Sequence, residues 1–192
     1  MRLTPRSVVL SILLFSVLPL CAEEPRDHEF RALVSSIRLN SDLIAQGKKQ
    51  DDEATVTLPA ILFESPLRID DVRNTDPHSR EEINTVVSYT RANLEGTVSD
   101  ILSFWMPEER EAKSALLKDP NIFKKNREYH EGEPGLTLIG LIFQERTTSV
   151  LVRRSRGVIG INLVTVEGGF RLTDHASDDL ELAIVEASLS RR

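Results

Sequence analysis

Around Gly132, Pro134 and Gly135 the spacing of apolar residues changes from every third or fourth position to nearly every second. That change restricts the chain to folds in which helices lead into a sheet. Beyond it, Leu136 to Arg146, Ser149 to Arg154, Val158 to Val166 and Phe170 to Thr173 are short β-branched or alternating runs separated by turn-length gaps. They predict an antiparallel meander. Gly168-Gly169 is a strong hairpin turn, since neither residue has a Cβ to oppose positive φ, and Ser155, Arg156 and Gly157 make another.

The preceding segments read as helices. From Asp27 to Gln46 the residues Phe30, Leu33, Val34, Ile37 and Ile44 fall at helical intervals, with Gly47 placed to end the helix. Ala54 to Phe63 and Leu67 to Val72 are β-like runs, which Pro59 and Pro66 confine to edges or bulges. Ser79 and Glu82 form a capping-box pattern ahead of Ile83, Val86, Val87, Thr90 and Leu94, and Gly96 stops that helix. Thr97 starts a second helix carrying Val98, Ile101, Leu102 and Trp105, and Pro107 a third whose face is Ala112, Ala115 and Leu116. Asp119-Pro120 ends it, and Ile122 to Glu131 add a last helical turn. Ser177, Asp178 and Asp179 open a C-terminal helix with Leu180, Ala183, Ile184 and Ala187 on one side, closed by Arg191 and Arg192.

The start of the chain reads as an address. Arg2 and Arg6 precede an apolar stretch from Val8 to Leu18, then Pro19 and the small Ala22, which is the plan of a cleaved export signal. The stretch is too short to span a bilayer, which needs about 17–25 residues. Lipidation at Cys21 is a rival reading, but the bulky Leu20 stands where a small residue is required. Cleavage after Ala22 removes two of the 24 basic residues and none of the 30 acidic ones, taking the net charge from −6 to −8. A surplus of acid makes nucleic acid a poor partner. The expected location is periplasmic or secreted, in a bacterial-type protein with no integral span after cleavage. The expected organisation is a signal (1–22), an extension made of a helix and edge strands (23–78), and one domain (79–192).

Helices gathered ahead of a meander define an α+β domain with the helices on one face of a single curved sheet. The stretches SREEINTVVSYTRANLEGTVSDILSFW, LLKDPNIF and SVLVRRSRGVIGINLVTVEGGFRLT, within Ser79 to Thr173, resemble the nuclear-transport-factor-2-like (SnoaL-like) cone superfamily. The likeness covers about half the chain and lies in element order and hydrophobic spacing. It implies a cone whose concave sheet and helices enclose a pocket, used for a small ligand, for catalysis as in the steroid isomerases and dehydratases, or for protein association.

Little in the sequence specifies chemistry. His28, His78, His130 and His175 lie in separate segments without metal-ligand spacing, and His130 with Glu128, Glu131 and Glu133 reads as a solvated loop. No metal or cofactor is expected. The chain has no Gly-x-Ser-x-Gly elbow, its one Cys falls in the signal, and GVIG at Gly157 to Gly160 lacks the dinucleotide pattern. Tyr89, Asp100 and Tyr129 are conceivable acid–base groups, but Tyr89 fits a core phenol and Asp100 a cap for the helix after Thr97. Trp105, Tyr89, Phe143 and Asn162 are the candidate ligand-binding residues, Asn162 because an amide between Ile161 and Leu163 either faces water or needs a partner inside. Arg153, Arg154 and Arg156 on one hairpin read as an exposed face. The expected function is a non-catalytic module binding a small apolar ligand or another protein. The alternative is a cofactor-free isomerase, dehydratase or hydrolase using the same pocket.

Overall fold

The computed structural model describes residues 23–72, 80–131, 136–174 and 179–190. The signal segment, Ser79, His78, His175, Ser177, Asp178, Arg191 and Arg192 lie outside them, so the expectations placed there are left as they stand. The chain is α+β, with one six-stranded antiparallel sheet in the order β1-β2-β3-β4-β5-β6: β1 (Arg26–Leu33), β2 (Glu53–Arg68), β3 (Thr137–Phe143), β4 (Thr148–Arg154), β5 (Gly157–Val166) and β6 (Gly169–Leu172). The helices are α1 (Asn40–Ala45), α2 (Glu81–Glu95), α3 (Val98–Ser103), α4 (Arg110–Leu117), α5 (Pro120–Glu131) and α6 (Leu180–Ser190).

The C-terminal meander is present as the alternation predicts. Gly168 and Gly169 turn between β5 and β6 with φ of 85° and 120°, a conformation that an added Cβ would strain. Capping of α3 also follows the sequence: the Thr97 amide donates to Asp100 Oδ2 at 2.7 Å, and the Asp100 amide donates to Thr97 Oγ1 at 3.3 Å. The helix α2 begins one residue later than the Ser79 pattern implies, with Arg80 at its N-cap and no side-chain cap bond.

The N-terminal expectation is corrected. Residues 27–46 do not form one helix, because Arg26–Leu33 pair as β1 along β2, from Arg26 opposite Ala60 to Leu33 opposite Glu53. Only Phe30 and Ala32 need the core on that strand, and a small residue such as Ala32 leaves little trace in a hydrophobic pattern. The short α1 follows, and Gly47 closes it at φ 90°. Residues 26–68 thus supply two strands of the main sheet.

The first β-like run and the start of the second form one sixteen-residue strand, β2, which pairs with β1 through Ala60 and with β3 from Ala60 onward, whereas Ile69–Asp71 of the second run coil into a single 3-10 turn. Pro66 falls inside the register shift between Leu62 and Leu67, and Pro59 lies one residue outside the β3 pairing. At the opposing position, a Cβ on Gly140 would lie 2.4 Å from the Ile61 carbonyl oxygen. Only glycine permits that approach.

The sheet buries side chains from both faces. On β4, Val150 and Val152 join Ile83, Val86 and Val87 of α2, whereas the intervening Leu151 joins Leu182, Val185 and Leu189 of α6. The expectation of helices on one face is corrected accordingly. The reason lies in α6, which also presents Ala183, Ile184 and Ala187 to Val34, Ile37 and Leu43, so it is apolar toward both the sheet and the N-terminal segment and lies between them. Full burial of each Leu or Val there contributes about 1.5–3 kcal/mol. The expected face of α4 is not buried at all: Leu116 is 54% exposed, and Ala112 and Ala115 face solvent.

Candidate ligand cleft

The cleft follows from unequal strand lengths. Leu163 to Val166 of β5 pair with β6, and the Asn162 carbonyl accepts from the Thr173 amide at 3.0 Å, so among the described residues the half of β5 from Gly157 to Ile161 has β4 on one side and no strand on the other. A cavity of about 700 Å³ runs along that free edge. This is within the range of small-molecule sites, about 300–1,000 Å³.

Three elements form its walls. From α6, Glu186 Oε1 accepts from the Gly160 amide at 2.8 Å, and Ser190 Oγ accepts from the Val158 amide at 2.8 Å. These bonds occupy the outward N–H groups of the edge, which would otherwise be free to recruit another strand. On the other side stand Tyr89 of α2 and Asn126, Tyr129 and His130 of α5. Asn126 Nδ2 donates to Asn93 Oδ1 at 2.6 Å and Asn93 Nδ2 donates to the Tyr89 carbonyl at 2.8 Å, tying α5 to α2. Trp105 follows α3 and is held against β6 by bonds from Met106 N to Leu172 O at 3.0 Å and from Leu172 N to Phe104 O at 2.8 Å.

The aromatic groups pack edge to face. The Tyr89 ring centroid lies 6.0 Å from Trp105, 6.0 Å from Phe104 and 6.4 Å from His130, and Tyr129 lies 5.6 Å from His130. Lys113 Nζ sits 4.0 Å from the Trp105 ring centre and pairs with Asp174 at 2.5 Å. Burial pushes the Tyr89 phenol up, against the opposing influence of Asn93, Trp105 and the Arg154 charge. Burial pulls the His130 imidazole down, so it is neutral near pH 7. Both groups therefore meet an occupant of the cleft as neutral hydrogen-bonding groups.

Of the sequence candidates, Trp105 (8% exposed), Tyr89 and Asn162 (8% exposed) come together on this cleft. Asn162 has its partner inside: Ser149 Oγ donates to Asn162 Oδ1 at 2.7 Å across β4 and β5. Phe143 is elsewhere, at the far end of β3 with the Arg80 guanidinium 5.5 Å from its ring centre. Asp100 is a helix cap whose carboxyl is held below its usual range by the Thr97 amide. Tyr129 lines the cleft, although half exposed.

Two cleft residues depart from the sequence reading. His130 is not in a solvated loop but in the last turn of α5 and only 9% exposed, with Nδ1 buried and without a hydrogen-bond partner. Arg154 is not on an open face but half-buried at the end of β4. Its signal in the sequence was the cluster of three arginines, which says nothing about burial. Among the described residues no group of His, Cys, Asp or Glu side chains is arranged to hold a metal ion, and no helix is long and apolar enough to cross a membrane. No family model, curated protein or solved structure matches the chain.

Proposed function

We propose that this protein is a non-catalytic module that binds a small molecule with a flat, apolar body in the cleft beside β5. The observation that carries this reading is the roomy, aromatic-walled cavity set against a strand edge whose Val158 and Gly160 amides are already bonded to α6. Those bonds argue against an added peptide strand and in favour of a compact occupant that rests on Trp105, Tyr89, Ile159 and Ile161. The resemblance of Ser79 to Thr173 to the cone superfamily, with a curved sheet around a pocket, accords with this use, and the reading does not depend on it.

The test uses the neutral dye N-phenyl-1-naphthylamine, with Trp105 as donor because it is the only tryptophan in the chain. Saturable dye emission at one site, with matching quenching of Trp105, is the expected result. Absence of a saturable signal up to the solubility limit of the dye counts against the cleft as a binding site. Export belongs to the same proposal, resting on Arg2, Arg6 and the apolar Val8 to Leu18 stretch. The intact mass of the expressed protein should correspond to a chain beginning at Glu23, and a full-length mass in the cell envelope or medium would refute cleavage.

A further inference from the structure

Around the cleft two cations face carboxylates, and two, Arg154 and Arg156, do not among the described residues. Arg38 lies 3.7 Å from Glu186, and Lys113 pairs with Asp174. Arg154 has no carboxylate partner among the described residues. Its guanidinium carbon lies 4.8 Å from the Tyr129 ring centre, Nη1 donates to the Tyr129 hydroxyl, and Nε is buried without a partner. Burial also pulls its pKa down, with only the neighbouring Tyr89 phenol opposing.

A half-buried guanidinium without a counter-charge is costly, and native proteins pair such groups. Tyr129 offers the guanidinium its ring and its hydroxyl but supplies no charge. The neutral His130 beside Tyr129 adds a hydrogen-bonding group rather than a second cation. The exposed Arg156 shares the rim and is placed to attract an anion from solvent.

Building on the small-molecule reading above, we infer that the ligand is an organic monoanion, an aromatic carboxylate or sulfonate, whose acid group pairs with Arg154 while its ring system lies toward Trp105 and Tyr89. Of the two arginines without a carboxylate only Arg154 is half-buried, Arg156 being solvated, so one negative charge is called for, and the planar fork of arginine suits a carboxylate or sulfonate. The cleft supplies the apolar contact that a simple inorganic anion could not use.

The experiment compares two dyes with the same ring system: 8-anilinonaphthalene-1-sulfonate, which carries the charge, and N-phenyl-1-naphthylamine, which does not. Wild-type protein should bind the sulfonate at least about tenfold more tightly, the effect expected of one charge-assisted contact. Arg154→Gln should remove that preference while leaving the affinity for the neutral dye within about twofold, and Arg154→Lys should retain part of it. Arg156→Gln should lower sulfonate binding only slightly.

Equal wild-type affinity for both dyes would overturn the anion assignment and leave the small-molecule reading intact. Binding of neither would overturn both. An Arg156→Gln loss as large as that of Arg154→Gln would overturn the choice of Arg154. Circular dichroism checks that the variants fold. If Arg154→Gln does not fold, the wild-type preference and its partial retention in Arg154→Lys decide the matter.

Discussion

Ser149 and Asn162 offer a test of how the cleft-bearing strand is held, because they form a buried polar pair on neighbouring strands of an otherwise apolar sheet. Ser149 is fully buried and Asn162 nearly so, and Ser149 Oγ donates to Asn162 Oδ1 at 2.7 Å. Ser149→Ala leaves the amide oxygen buried without this donor. Asn162→Leu leaves the hydroxyl buried without this acceptor. Each single change should therefore cost about 1–3 kcal/mol, chiefly as desolvation that is no longer compensated. The double variant Ser149→Ala/Asn162→Leu replaces both partners with apolar groups and should lose less than the two singles together, near neutrality to about 1 kcal/mol. Urea unfolding followed by Trp105 fluorescence gives all four stabilities. Losses that add within about 0.5 kcal/mol would show that the pair is not coupled, and the argument from shared burial would fail.

Three further changes probe other parts of the fold. Gly140→Ala should destabilise by about 1–3 kcal/mol, since its Cβ would meet a strand carbonyl rather than a side chain that can move, and an unchanged urea midpoint would contradict the 2.4 Å approach to Ile61. Glu186 should make stability fall as pH rises: burial pushes its carboxyl above the ordinary 4.5, with the Gly160 amide and Arg38 opposing, so its favourable contribution is complete below 4.5 and lost through the raised value. Glu186→Gln keeps an acceptor for Gly160 and should flatten that decline, whereas a steeper pH dependence of the urea midpoint in the variant would reverse the sign of the argument. Trp105→Ala should cost about 3–5 kcal/mol, because the ring belongs to the core cluster as well as to the cleft wall. A variant as stable as the wild type would assign the ring to the cleft alone.

The parts of the fold that could be read from the sequence are those set by local chemistry. Turn glycines and alternating runs define β3 to β6, and Thr97 with Asp100 marks the start of α3. The misread parts depend on partners far along the chain. Phe30, Leu33, Val34 and Ile37 satisfy a helical period, yet the pairing of β1 with β2 decides the matter, and no local pattern encodes that pairing. The reverse holds for α4, where Ala112, Ala115 and Leu116 have the right period but all three stay exposed. In the cleft, Trp105, Tyr89 and Asn162 stood out because aromatic and amide groups among aliphatic ones need an explanation. Arg154 and His130 did not, because residue types common on surfaces lose their exposure here only when α5 and the β4–β5 hairpin come together.

The brevity of β6 links the fold to the cleft. A partner strand as long as β5 would cover Val158 to Asn162 and leave no cavity, whereas a four-residue β6 exposes that edge and obliges another element to satisfy it. The helix α6 does so with side chains rather than backbone, through Glu186 and Ser190, and side chains reach the edge without filling the space beside it. Because α6 must also bury apolar residues against both the sheet and the N-terminal segment, its position is fixed in part by Ile184, Val185 and Leu189, which do not line the cleft. The cleft is thus held open by core contacts of α6 that do not line it, and substitutions there, such as Ile184 to a smaller residue, bear on ligand space without touching the ligand.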